Sequence, residues 1–200
     1  MLYQIHRYPA DLIDVVRLRG GRRVLVRPVL PQDEDITVAF FGNLPARARY
    51  DRFMAPMPNL PPALIKRFTS IDYASHLALV AEIFADSRET VIAEARYARD
   101  RDTPSVAEFA VSVAADWQGH GLASLLLAKL MRHASAAGIE RVVGETLATN
   151  ARMLHLARKA GFTTTPSPDL RGLIVLEKHL APSPQGTDCE QVMGGAHASA

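Results

Sequence analysis

Val111-Ser112-Val113-Ala114-Ala115-Asp116-Trp117-Gln118-Gly119-His120-Gly121-Leu122-Ala123 changes character twice. It begins as an apolar run suited to a strand, turns through a short loop, and enters a long helical pattern. Gly119, Gly121 and Ala123 remove side-chain bulk from the first turn of that helix, so the backbone can approach a ligand closely. The first N–H groups of a helix lack internal acceptors and carry the positive end of its dipole. Together they make a seat for an anion such as a pyrophosphate. Two other phosphate loops are excluded. No Lys-Ser/Thr follows at Walker spacing, and Ser124 stands where a dinucleotide fingerprint has its third glycine. Small residues that pack closely against a neighbour would explain the same letters without a ligand.

Working outward, the helix runs from about 119 to 137, with Leu122, Leu126, Leu130 and Ala134 on one face and Leu125 widening the stripe. Gly138 ends it as a left-handed cap. Upstream, 106–114 reads as a strand, and 77–84 with 90–97 as an antiparallel hairpin turning at Asp86-Ser87. Val24 to Val26 form a short strand after the Gly20-Gly21 turn. Pro31 opens a helix with Asp33, Glu34 and Asp35 in its first turn, and Pro45 and Pro61-Pro62 open two more. Downstream come a strand at 140–147, a helix at 151–160 stopped by Gly161, and a hairpin from Phe162 to His179 turning near 169–172. This order predicts an α/β (α+β) domain with a mixed sheet. Residues 1–21 read as an N-terminal extension, 22–180 as the domain, and 181–200, small and polar, as a disordered tail.

Composition bounds the rest. The chain has 200 residues, enough for one sizeable core, with 48% hydrophobic and 22% charged residues, which excludes wholesale disorder. Lys plus Arg total 23 against 21 Asp plus Glu, and a net charge of +2 predicts no strong nucleic-acid field. Cys189 is the one cysteine and cannot form an intrachain disulfide, which fits a reducing compartment. No apolar run reaches the ~20 residues a membrane span takes. The stretch from Met1 to Ala10 lacks the features of a signal peptide, so a cytoplasmic protein is expected. With no His-Glu-x-x-His and no cysteine partner, no metal is expected.

Gln118-x-x-Gly121-x-Ala123 matches the (Arg/Gln)-x-x-Gly-x-(Gly/Ala) motif of the GNAT superfamily of N-acetyltransferases. The run from Asn150 through Gly161-Phe162 resembles that superfamily's Asn-to-Gly-Phe helix at the same spacing. Arg27-Pro28 through Asp33, Tyr50-Asp51-Arg52-Phe53 and Ile71-Asp72-Tyr73 look like one branch, the acetyltransferase domain of Pat-type bacterial protein lysine acetyltransferases. The resemblance covers about residues 8–180. It implies a mostly antiparallel sheet in which two parallel strands, here 106–114 and 140–147, splay apart to admit acetyl-CoA. By that similarity, backbone groups of Val111 and Val113 would pair with the pantetheine arm. Amides of Gln118, Gly119, His120, Gly121, Leu122, Ala123 and Ser124 would hold the pyrophosphate. Asn150 would bond the arm from the other side, or cap its helix, or both. His120 departs from the branch, which often has Arg there. A neutral imidazole makes a weaker phosphate contact, and a solvated loop residue is an equal reading.

An amine arrives at a thioester mostly protonated, since the lysine pKa is ~10.4, so a base is needed. Glu108 sits in the apolar run Val106-Ala107-Glu108-Phe109-Ala110, on one strand face with Ala110 and Ser112. Burial there would suit it to the role, and the Pat-type pattern has its catalytic glutamate at the matching position. A water-facing Glu, or a salt bridge to Arg96, is the plainer alternative. Glu82, Glu94 and Glu145 are rivals. Many GNAT enzymes place a general-acid Tyr where this chain has Ala157, so no acid is assigned. His133 and His155 read as polar-face helix residues. In Arg49-Tyr50-Asp51-Arg52-Phe53 the rings are expected inward and the arginines in water, and Asp72 reads as a turn former. With Cys189 outside the core, direct transfer in a ternary complex is implied. The acceptor is expected to be a protein lysine. A small amine, or a non-catalytic acyl-CoA-binding regulatory module, would keep the same phosphate turn.

Overall fold

The computed structural model of the chain describes residues 8–85 and 88–181. The expected turn at Asp86-Ser87 and residues 182–200 of the expected tail lie outside them. Eight strands make one sheet: β1 Asp14–Arg17, β2 Arg23–Pro28, β3 His76–Ala85, β4 Arg88–Arg99, β5 Val106–Val113, β6 Arg141–Leu147, β7 Thr163–Pro166 and β8 Leu173–His179. Their spatial order is β1-β2-β3-β4-β5-β6-β8-β7. Only β5 and β6 are parallel; the other neighbours run antiparallel. Five helices flank the sheet: α1 Glu34–Asn43, α2 Ala46–Phe53, α3 Pro62–Thr69, α4 Leu122–Ala136 and α5 Ala151–Lys159.

The mixed sheet of the sequence reading is present, with three adjustments. Asp14–Arg17, assigned to the extension, pairs with β2 as the edge strand, and Leu18 beside it is buried. Pro31 does not open α1, which starts at Glu34. Asp33 turns its carboxylate back to accept from Leu30 N–H at 2.7 Å and to pair with Arg27 at 2.6 Å. The long helix begins at Leu122 rather than 119, because Gly119 (φ 79°) and Gly121 (φ 85°) adopt left-handed conformations that a helix cannot contain.

Two apolar layers hold the molecule. The leucine stripe of α4, with Leu126 and Leu130 at 0% exposure, packs on Leu79, Ala95 and Phe109 of one sheet face. The opposite face carries α1 and α3, whose Phe40, Phe41 and Phe68 cover Ala78, Val80 and Val91.

Candidate functional site

Parallel pairing between β5 and β6 lasts only from Val106↔Arg141 to Glu108↔Val143. Beyond it the strands diverge, although β5 continues to Val113 and β6 to Leu147. Phe109 and Gly144 begin the divergence. The Phe109 ring lies so close over Gly144 that a Cβ there would meet it at 2.8 Å, and its other neighbour is Phe162 at 4.8 Å between ring centres. Ala114 N–H donates to Ile92 of β4 at 2.8 Å. The two-residue alternation of a strand then turns the backbone groups of Val111 and Val113 away from β4, into the gap.

The turn at the end of β5 faces that gap. The first helical bond of α4 runs from Leu125 N–H to Gly121 O at 3.0 Å. Ahead of it the N–H groups of Gly119, His120, Gly121, Leu122, Ala123 and Ser124 find no acceptor among the described residues. A Cβ built on either Gly119 or Gly121 would meet nothing within 4 Å, so the outer side of this amide cradle is open. Successive free amides at the positive end of a 15-residue helix fit a diphosphate.

The structure refines four of the expected contacts. Gln118 N–H already donates to Ala115 O at 3.2 Å, so its amide does not join the cradle. Its side chain instead braces the site: Nε2 donates to Val113 O at 3.0 Å and Oε1 accepts from Arg152 of α5. Val113 O is thereby occupied, whereas Val111 keeps its backbone free toward the gap. His120 Nδ1 lies 2.9 Å from Gln118 O, which can only accept, so Nδ1 carries a proton and points away from the cradle's amides. Asn150 caps α5, its Oδ1 accepting from Met153 N–H at 3.1 Å, and its amide nitrogen remains for a ligand.

Glu108 occupies the last β5 position that pairs with β6, on the face covered by α1–α3. The apolar enclosure expected from its strand is absent: the side chain is exposed, because its row on the sheet is His76–Ala98–Glu108–Val143 and Ala98 is small. The alternative pair with Arg96 is absent too, since Arg96 binds Glu94. Glu94 is 2% exposed and held by that pair, and Glu82 is 5% exposed and paired with Arg27 at 3.0 Å. Both rivals are thus engaged inside the fold. Glu145 is exposed on β6.

Helix α2 crosses β5 and β6 above the gap. Arg47 ties it to the far wall, donating to Thr149 Oγ1 at 2.8 Å. The expected orientation of this helix holds for Phe53, which packs on Phe41 and Phe68, and for exposed Arg47, and fails for Tyr50 and Arg52. Tyr50 is exposed, while the Arg52 guanidinium lies over the rings of Phe53 (5.0 Å) and Phe68 (5.6 Å), with Nε buried and without a partner among the described residues. Burial lowers the Arg52 pKa and Glu94 opposes the fall. Phe68 also carries Arg96, 3.6 Å from its centre, whose pKa burial likewise lowers against the pull of Glu94. His76 Nε2 lies 3.4 Å from Arg96, and burial, with that positive neighbour, brings its pKa down to about 4. Asp72 is a turn former: burial works against its charge, but bonds from Ser75, His76 and Ala74 hold its carboxyl below the ordinary range. His133 is no polar-face residue. It meets Tyr97 Oη at 2.9 Å, and burial lowers its pKa. Ala157, at the position where a general acid was sought, is at 0% exposure in the core. Sequence reasoning missed Arg52, Arg96 and His76 as one group, because strand register brings His76 to Arg96 and the docking of α2 brings Arg52 to the same Phe68 ring.

A model of the acetyltransferase (GNAT) family matches residues 42–162. The chain is 31% identical over 155 residues to acetyltransferase PA5475 of Pseudomonas aeruginosa, covering 78% of this chain and 83% of that protein. It is 30% identical over 146 residues to acetyltransferase Pat of Mycolicibacterium smegmatis, covering 73% of this chain and 43% of the relative, so it spans less than half of that protein. The GNAT domain of S. lividans PAT superposes with a TM-score of 0.79 at 33% identity, covering 86% of this chain and 99% of that one. The structure of yncA from Salmonella typhimurium with acetyl-CoA shares the fold, with a TM-score of 0.65, 18% identity, and coverage of 84% of this chain and 100% of that one.

Proposed function

This chain belongs to the GNAT acetyltransferase family, and from that premise we propose that it acetylates a lysine of another protein. It is an acyl-CoA-dependent N-acetyltransferase with acetyl-CoA as co-substrate. The observation that carries the acceptor reading is the likeness, over 86% of the chain and at 33% identity, to the GNAT domain of a PAT protein. The Pat relative points the same way.

In this reading the amides of Gly119–Ser124 hold the diphosphate and the Asn150 amide nitrogen steadies the pantetheine arm between β5 and β6. The bound thioester supplies the carbonyl carbon that the amine attacks, a C–N bond forming as the C–S bond breaks. Glu108, at the mouth of the gap on the α2 side, takes the proton from the amine. Val111 N–H faces the gap and stabilises the carbonyl oxygen as charge develops. The released thiolate has an intrinsic pKa of ~8.5 and is a tolerable leaving group without a dedicated acid.

Thiol release from acetyl-CoA with a lysine peptide tests the assignment. Glu108→Gln is expected to lower kcat by about 10²–10⁴ with unchanged coenzyme affinity. Unchanged turnover across pH would remove Glu108 from the role.

A further inference from the structure

The gap between β5 and β6 has a wide end and a closed end. The amide cradle stands at the wide end, past Val113. Glu108↔Val143, the last parallel pair, marks the closed end. Counted on from that pair, Phe109 lies level with Gly144 and Val111 with Thr146. A coenzyme held by its diphosphate at the cradle therefore points its acyl group along β5 toward Phe109. With the thioester carbonyl at Val111 N–H, two residues of strand, about 6.6 Å, separate the reacting carbon from the level of Phe109.

The closed end is filled. A Cβ on Gly144 would lie 2.8 Å from the Phe109 ring and 3.3 Å from Phe109 O, so neither ring nor backbone leaves a passage between the strands. Phe109 and Phe162 are both 5% exposed, and Ala157 of α5 is at 0%. Phe162 is held in turn by Lys178, whose Nζ lies 5.7 Å from its ring centre and donates to Ala160 O. On the α4 face an acyl chain thus meets packed rings. On the other face it meets the exposed carboxylate of Glu108, where an apolar chain gains nothing by leaving water. We propose that Phe109, backed by Phe162, is the stop that measures the acyl chain, so that the site takes acetyl and propionyl thioesters and refuses a hexanoyl chain. The inference rests on the coenzyme placement given above and not on the nature of the acceptor. Gly144 belongs to the same device, since its missing side chain lets the ring lie across the two strands.

Calorimetric titration of the whole protein with CoA, acetyl-CoA, propionyl-CoA and hexanoyl-CoA tests this without an acceptor, with CoA as the reference for each protein. In the wild type, acetyl-CoA and propionyl-CoA are expected to bind alike, and hexanoyl-CoA about tenfold more weakly. Phe109→Ala removes the ring, and Phe109→Leu, the milder change, shortens the side chain while the core stays apolar. In both, hexanoyl-CoA is expected to gain about tenfold relative to CoA as its chain enters the vacated space. Hexanoyl-CoA that binds the wild type as tightly as acetyl-CoA, or more tightly, overturns the inference, as does a wild-type order that both variants keep. If neither CoA nor acetyl-CoA binds saturably, the coenzyme placement itself fails, and this inference with it.

Discussion

On the α4 face of the sheet, Leu79, Ala95 and Phe109 meet Leu126 and Leu130 through apolar side chains. On the α1–α3 face, Glu94, Arg96 and Ser112 lie buried among the phenylalanines. The same strands supply both surfaces by simple alternation. The first surface is apolar apart from the Tyr97–His133 hydrogen bond and the buried Thr146 hydroxyl. The second keeps ions inside the fold beside the gap where β5 leaves β6, and its polar groups are not all satisfied: Glu94 Oε2, Ser112 Oγ and Arg52 Nε have no partner among the described residues. Among the described residues the buried ion pairs lie on the face that adjoins the gap, where packing alone does not require them.

The sharpest way to break this contrast is to cut one residue from each face. Glu94→Ala leaves the Arg96 guanidinium buried without its carboxylate and is expected to cost about 3–5 kcal/mol. Leu126→Ala leaves a cavity and costs about 3 kcal/mol. Urea denaturation at neutral pH measures both. The two should differ again in salt, because only the first loss is electrostatic. A Glu94→Ala protein as stable as the wild type would show that the ion pair lies outside the cooperative core.

A smaller effect is read by pH, since burial lowers His76 on this face and His133 under α4. Burial sets His76 at about 4 instead of 6.5, so the unfolded chain takes up a proton that the folded one refuses. Stability from this group is complete above pH 6.5 and is lost as pH falls toward 4. The loss is about 2–3 kcal/mol. His76→Asn is expected to flatten that part of the pH–stability curve, read from denaturation midpoints at several pH values. A variant with the same acid slope as wild type would place the sensitivity elsewhere.

The contrast also explains what could be read in the letters. The α4 stripe and the Gly138 cap are local patterns that stand where their spacing put them, and the glycine turn at Gly119 and Gly121 is local too, though it precedes the helix instead of forming its first turn. Pro45 and Pro61 likewise precede α2 and α3. The exposure of Glu108 matches the water-facing alternative, but nothing local chose it over burial, because it follows from Ala98 on the adjacent strand and from a register set over the whole β3–β4–β5 meander. Arg52 was misread because its place depends on how its helix docks. An arginine in a polar helix defaults to solvent, and only the docking of α2 over Phe53 and Phe68 turns it inward. The brace from Gln118 to Val113 and Arg152 joins residues of β5, its turn and α5, which no single window of sequence contains. Asp14–Arg17 escaped notice because an edge strand of four residues with exposed positions has little pattern to show.

The central claim is that free N–H groups at the start of α4 grip the coenzyme's diphosphate. A titration of ¹⁵N-labelled protein with acetyl-CoA, followed amide by amide, tests it directly. The amide signals of Gly119 through Ser124 should move together and saturate along one binding curve, ahead of those on the far β1 edge. Binding that shifts other amides and leaves those six in place would contradict it.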